Sequence, residues 1–152
     1  MNALHRHSQF KSREHGQSLV ELGLTLPLLL IILFGVVDLG RLFYAYVTVT
    51  NSAREGARVG TMNPKNTNNA IKIRAKQEAS NVLNLTDLDI TIDCAAYADT
   101  PPYTYGDCTT KSAGDRIRVK VEYNFEFVTL YLLGFKNLKL SNSTSMAIIR
   151  TN

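Results

Sequence analysis

Gly16-Gln17-Ser18-Leu19-Val20-Glu21 opens a stretch that carries no charge at all from residue 22 to residue 37. The uncharged run alone makes roughly 24 Å of helix, just short of the usual span, and residues 18–20 bring it close to a full crossing with Glu21 near the interface. A carboxylate at the lip of such a helix is expensive unless something pairs with it, so Glu21 is a functional residue by default. Pro27, Gly23 and Gly35 dilute the apolar character. A secretory signal peptide is therefore the first rival reading. It lacks the small-residue cleavage site that should follow the apolar core, because Val37-Asp38-Leu39-Gly40-Arg41-Leu42 offers none. A plain uncleaved anchor is the second rival.

A glycine preceded by basic residues and followed five residues later by a glutamate resembles the processing site of type IV pilin-like prepilins. The resemblance implies that a prepilin peptidase cuts between Gly16 and Gln17, methylates the new amino terminus and leaves Glu21 at the fifth mature position. The chain then divides into a basic leader (1–16), a transmembrane helix (17–40) and an extracytoplasmic domain (41–152). Arg6, Lys11 and Arg13 precede the span, so the amino terminus stays on the cytoplasmic side and the domain lies outside. The formal charge of +4 loses three cations and one carboxylate with the leader, and no basic cluster remains that would read as a nucleic-acid footprint.

Cys94 and Cys108 are the only cysteines, and they flank a turn-rich stretch that contains Pro101-Pro102. On the outer side of a membrane a disulfide between them would persist and close that loop, which in the loop-entropy account is worth about 3 kcal/mol. Two unrelated reduced thiols are the alternative. Two ligands are too few for zinc. His5, His7 and His15 all belong to the leader, so the mature chain holds no histidine base and no Ser/His/Asp or Cys/His set. Asp87, Asp89 and Asp93 fall on the polar side of an alternating segment, either as a solvated strand face or as oxygen ligands for calcium, without the loop spacing of a calcium motif. Gly56-Ala57-Arg58-Val59-Gly60 lies in a helical pattern and is no phosphate loop. No catalytic residue, metal, cofactor or small-molecule substrate is expected.

The helix does not stop at the membrane. Leu39, Phe43, Tyr46, Thr50, Ala53, Ala57 and Gly60 recur in steps of four and three, one stripe down a helix that runs from about residue 18 to 59. Its narrowing to small residues predicts that another element comes close at the far end. Gly60 and Asn63-Pro64 end it. A second helix over 70–83 presents Ile71, Ala75, Ala79, Val82 and Leu83 on one face. Leu88, Ile90, Ile92 and Cys94 alternate with polar residues as a half-buried strand. Residues 116–127 alternate strictly, with Ile117, Val119, Val121, Tyr123, Phe125 and Phe127 on one side. Residues 128–135 are apolar, and they either fold back over the core or lie near the bilayer surface. A last strand covers about 138–150. The sum is an α+β fold: a long amino-terminal helix, a second helix and a three-stranded or larger antiparallel sheet.

Ala53-Arg54-Glu55-Gly56-Ala57-Arg58, together with Leu26-Pro27 after the glutamate and the membrane exit Asp38-Leu39-Gly40-Arg41, looks like a TadE-like protein, a pseudopilin-like component of tight-adherence (Flp) pilus machinery. The likeness is close over residues 16–60 and weak beyond. It implies a pilin-like subunit, a minor pilin or pseudopilin in the bacterial inner membrane. Its partners would be prepilin peptidase, other pilin or pseudopilin subunits and the assembly platform. It also implies that Glu21 pairs with a neighbour's amino terminus at Gln17 and so sets subunit register. Arg54, Glu55 and Arg58 have two readings, an intrahelical pair between Glu55 and Arg58 and a contact with a partner subunit. A pseudopilin of another secretion or DNA-uptake system, or an anchored envelope binding module, are the competing functions.

Overall fold

A computed structural model describes residues 14–62, 68–108 and 112–149. The leader up to Arg13, the Asn63-Pro64 stop and residues 150–152 lie outside the described residues, and the last strand ends at Ala147, short of the expected residue 150. Helix α1 spans Glu14–Met62, 49 residues, roughly 75 Å of continuous helix. Pro27 sits inside it and supplies no N–H to the carbonyl of Gly23. The Thr25 hydroxyl donates to the carbonyl of Glu21 at 3.0 Å in the same turn. Helix α2 covers Asn68–Ala79. Strands β1 (Ile90–Ala95), β2 (Arg116–Glu126) and β3 (Asn137–Ala147) form an antiparallel meander in the order β1-β2-β3. The fold is α+β.

Register follows the alternation in the sequence. Val121, Val119 and Ile117 of β2 face Ile90, Ile92 and Cys94 of β1. On the other side they face Asn142, Thr144 and Met146 of β3. The inner residues of β2 are fully buried against the outer half of α1 and against Ile71, Ala75 and Ala79 of α2. The outer face carries Arg118, Lys120 and Glu122, in ion pairs with Asp93 and Lys139 and with each other.

Close approach decides which residues α1 turns inward. A Cβ on Gly56 would lie 3.2 Å from that of Ala75 and 3.3 Å from Val119 Cγ1, and one on Gly60 would lie 2.5 Å from Ile117 Cδ1. Ser52 Oγ donates to the carbonyl of Ala75 at 2.6 Å, across the same narrow gap. Ala53, Ala57 and Gly60 are buried as the stripe of small residues predicts. Nearer the membrane the stripe is displaced. Leu39, Phe43 and Tyr46 are exposed, and Asp38, Ala45, Val49 and Ser52 are buried in their place, with Leu42 half-buried between. Aromatic rings do not fit where β2 and β3 lie this close, so the face of Ala45 and Val49 goes in and the rings go out.

Two further boundaries differ. Helix α2 ends at Ala79 instead of continuing to 83, although Leu83 and Leu85 still reach the core through a turn. Leu88 belongs to a short 3₁₀ turn, Asp87–Asp89, and is exposed, because the Asp89 carboxylate accepts from the Thr86 N–H at 2.7 Å and turns the chain before the strand begins.

Candidate functional site

The residues singled out in the sequence fall at three levels along α1. At its start Gly16, Gln17 and Glu21 lie on helix and are exposed. Among the described residues no cation pairs with the Glu21 carboxylate. From Leu19 to Val37 the large apolar side chains are exposed, and none of the apolar window is buried against the rest of the chain. The helix is long and apolar enough to cross a membrane and fits a single-pass anchor.

At the outer level Glu55 accepts from Arg58 Nε at 2.7 Å and Arg58 Nη2 at 2.6 Å. It also accepts from Arg74 Nε of α2 at 3.0 Å. The intrahelical pair is present and extends to a second helix, so Glu55 fastens α2 to α1. Hydrogen bonds from Arg58 and then Arg74 outweigh partial burial and lower the Glu55 carboxyl to about 2. Arg58 is held correspondingly more basic by the same bond. Arg54 is exposed, and among the described residues it has no ion-pair partner. These three residues therefore do not act alike: Glu55 and Arg58 are engaged within the chain, and Arg54 faces outward.

Between those levels lies a residue that the sequence reading passed over as part of a motif. Asp38 is 1% exposed at the end of the uncharged run. Its carboxylate accepts from the backbone N–H of Thr129 at 2.8 Å and of Leu130 at 3.1 Å, and more loosely from that of Val128 at 3.4 Å. The Thr129 hydroxyl also donates to it, and Arg41 Nη1 reaches it at 3.0 Å. Three successive amides turned on one carboxylate cap the short 3₁₀ helix Leu130–Leu133, an anion at the positive end of a helical turn. Arg41 is fixed further by lying 5.3 Å over the Phe125 ring. A signal for Asp38 existed in the sequence: steps of four and three back from Ser52 through Val49, Ala45 and Leu42 land on it.

Cys94 and Cys108 form a disulfide, S–S 2.05 Å, that closes the loop between β1 and β2. The Cys94 and Gly106 backbones exchange two hydrogen bonds of 2.9 Å beside it. Arg116 and Arg118 stack under Tyr103 and Tyr105, which lays this loop on the outer face of the sheet. The aspartates weighed as calcium ligands each hold a separate protein partner. Asp87 pairs with Lys76 at 2.6 Å and is made more acidic by that bond, Asp89 caps Thr86, and Asp93 pairs with Arg118 at 2.6 Å.

Residues 16–58 match the protein family described as TadE-like protein. No curated protein and no solved structure matches the chain. The matched segment runs from the glycine before the apolar helix, through Glu21 and Asp38, to the Glu55–Arg58 pair. Across that segment the chain is similar to TadE-like proteins.

Proposed function

We propose that this TadE-like chain is a minor pilin or pseudopilin of a tight-adherence (Flp) pilus. It is made with a basic leader that prepilin peptidase removes after Gly16, held in the bacterial inner membrane by α1 with its domain outside, and passed to the assembly platform to join other subunits. One observation carries this reading. The first half of α1 is an apolar rod that its own domain leaves unburied and whose carboxylate, Glu21, has no cation beside it among the described residues, while the second half is the spine of a folded domain. An anchor alone needs no carboxylate. In a bundle of such helices Glu21 finds its cation in the amino terminus of a neighbour at Gln17, and a wrong stagger leaves the charge unpaired. The disulfide agrees with an oxidising, extracytoplasmic side. A domain this large beside one helix favours a component that starts or caps a filament over one that fills it, and Arg54 is the residue of the outer turn left to meet a neighbour. The role is structural and no catalysis is assigned.

Amino-terminal sequencing of the protein extracted from membranes of peptidase-positive cells tests the first step. Gln17 as first residue, methylated, is the expected result. An intact Met1 terminus, or a cut beyond Val37, would overturn the proposal.

A further inference from the structure

The link between β2 and β3 is apolar, and besides its bonds to Asp38 it reaches back to the helix within the apolar run. Thr129 Oγ1, whose proton goes to Asp38, lies 3.2 Å from the carbonyl oxygen of Phe34, and Leu130 Cδ2 lies 4.0 Å from where a Cβ on Gly35 would stand. Both helix positions precede Asp38 by about one turn. Residues 18–37 make about 30 Å of helix, the thickness of a hydrocarbon core, so Phe34 and Gly35 stand in its last turn. A loop that touches them stands at the same depth. Beside it Val128, Tyr131 and Phe135 are 65%, 58% and 59% exposed, three large side chains that the domain does not cover. Arg41 and Lys136, both exposed, stand next to them in the chain or against Asp38.

We propose that residues 128–135 form a second membrane contact, an interfacial wedge that enters the outer boundary of the bilayer beside α1 and fixes the tilt of the domain, an assignment that rests on reading α1 as the span. The occupant of this surface is lipid, because its exposed side chains belong to a loop that touches the apolar helix in its last turn and lies at its level. Tyrosine and phenylalanine rings with flanking cations are the side chains that favour the boundary between acyl chains and headgroups. The Asp38 carboxylate explains how the wedge is held. A free loop of this composition would bury its rings in the domain or carry them into the bilayer with unpaired backbone N–H groups. Here three of those groups are satisfied by one carboxylate before the loop reaches lipid.

The chain contains no tryptophan, so each introduced one is a lone reporter. Full-length protein carrying Tyr131→Trp or Phe135→Trp is reconstituted in phosphatidylcholine–phosphatidylglycerol vesicles with lipids brominated either near the headgroup or deep in the chain. Leu29→Trp reports the span and Tyr97→Trp the far end of the sheet, which β2 places roughly 35 Å away. The expected result is a blue-shifted emission for both loop reporters, lost preferentially to the shallow bromines, with Tyr97→Trp unaffected. Loop reporters as unquenched as Tyr97→Trp, beside a Leu29→Trp that deep bromines quench, overturn the wedge and leave the span standing. A Leu29→Trp that no bromine quenches overturns both. A blue shift insensitive to bromine and abolished by diluting the protein in lipid assigns the surface to a second copy and also overturns the wedge.

Discussion

A single buried carboxylate shows most directly how a residue earns its place here. Asp38 lacks only a change of one atom to become an amide, yet its two oxygens divide five donors between them, Oδ1 accepting from Val128 and Arg41 and Oδ2 from the amide and hydroxyl of Thr129 and the amide of Leu130, so Asp38→Asn turns a donor on donors whichever oxygen it replaces. Leaving such groups unsatisfied costs about 1–3 kcal/mol, so the amides of Val128, Thr129 and Leu130 should exchange with deuterium about 10–100-fold faster while those of β2 keep their protection. Unchanged exchange at 128–130 would show that the loop holds without the carboxylate. Acidic groups elsewhere make a pH prediction. Glu55, held by Arg58 and Arg74, and Glu122, held by Lys120 and Lys139, are both lowered from 4.5 to about 2. The folded chain thus binds these protons less readily than the unfolded chain, and the stability the pairs contribute is full above pH 4.5 and is lost as the pH falls toward 2. The effect is modest, because the Arg and Lys partners are a third or more exposed. Melting in detergent across that window should show a fall in Tm that the double variant Glu55→Gln/Glu122→Gln flattens. The Glu55–Arg58 pair was legible from spacing; Arg74 and Asp38 were not paired with anything until the tertiary fold brought residues 19 and 91 positions apart together.

Among the elements, β2 was the most legible, because a strict period of two over its length has one reading and its buried residues Ile117, Val119, Val121 and Phe125 are those that the pattern nominates. The outer part of α1 was the least. Residues 39–47 are apolar nearly all the way round, so periodicity alone fits two faces, and size instead of polarity chose between them: Ala45 and Val49 go in, Phe43 and Tyr46 stay out. Alternation carried the first strand one pair too far, to Leu88, since a period of two says nothing of the carboxylate that turns the chain at Asp89. The small-residue stripe was the better guide, and it makes a prediction about packing. Gly60→Val places two methyls where even a Cβ lies 2.5 Å from Ile117 Cδ1 and 3.2 Å from Ile71 Cδ1, both side chains fully buried with nowhere to move. Overpacking of this kind costs about 1–3 kcal/mol, more than the few tenths that leaving glycine returns to the helix. Gly40→Ala, whose Cβ meets nothing within 4 Å, should hold or raise Tm in the same experiment. If Gly60→Val melts at the parent temperature, α1 and β2 are not in the close contact described.

For the whole molecule the decisive property is that one helix serves two solvents. Its outer half is buried by β2, β3 and α2, and its inner half is left unburied by its own domain, which touches only its last turn at Phe34 and Gly35, a division that the sequence announced in the uncharged run but whose junction, the Asp38 cap, it concealed. Everything proposed about assembly depends on what the bare half meets. If lipid alone, Glu21 is a cost without a return, and removing its charge should do no harm anywhere. If a bundle of neighbouring helices, Glu21 sets their stagger. Glu21→Gln and Glu21→Leu make the span more apolar, so membrane insertion should be intact and processing should proceed, while the yield of sheared pili or surface adhesion falls at least several-fold because misaligned subunits no longer carry a penalty. Gly16→Arg should fail earlier and differently, retaining the leader in the membrane fraction with no mature form at all. Membrane fraction, processing and sheared pili measured together for the three variants separate these cases. Glu21 variants that insert, mature and assemble as well as the parent would reduce α1 to an anchor and return the domain outside it to the reading of an envelope binding module.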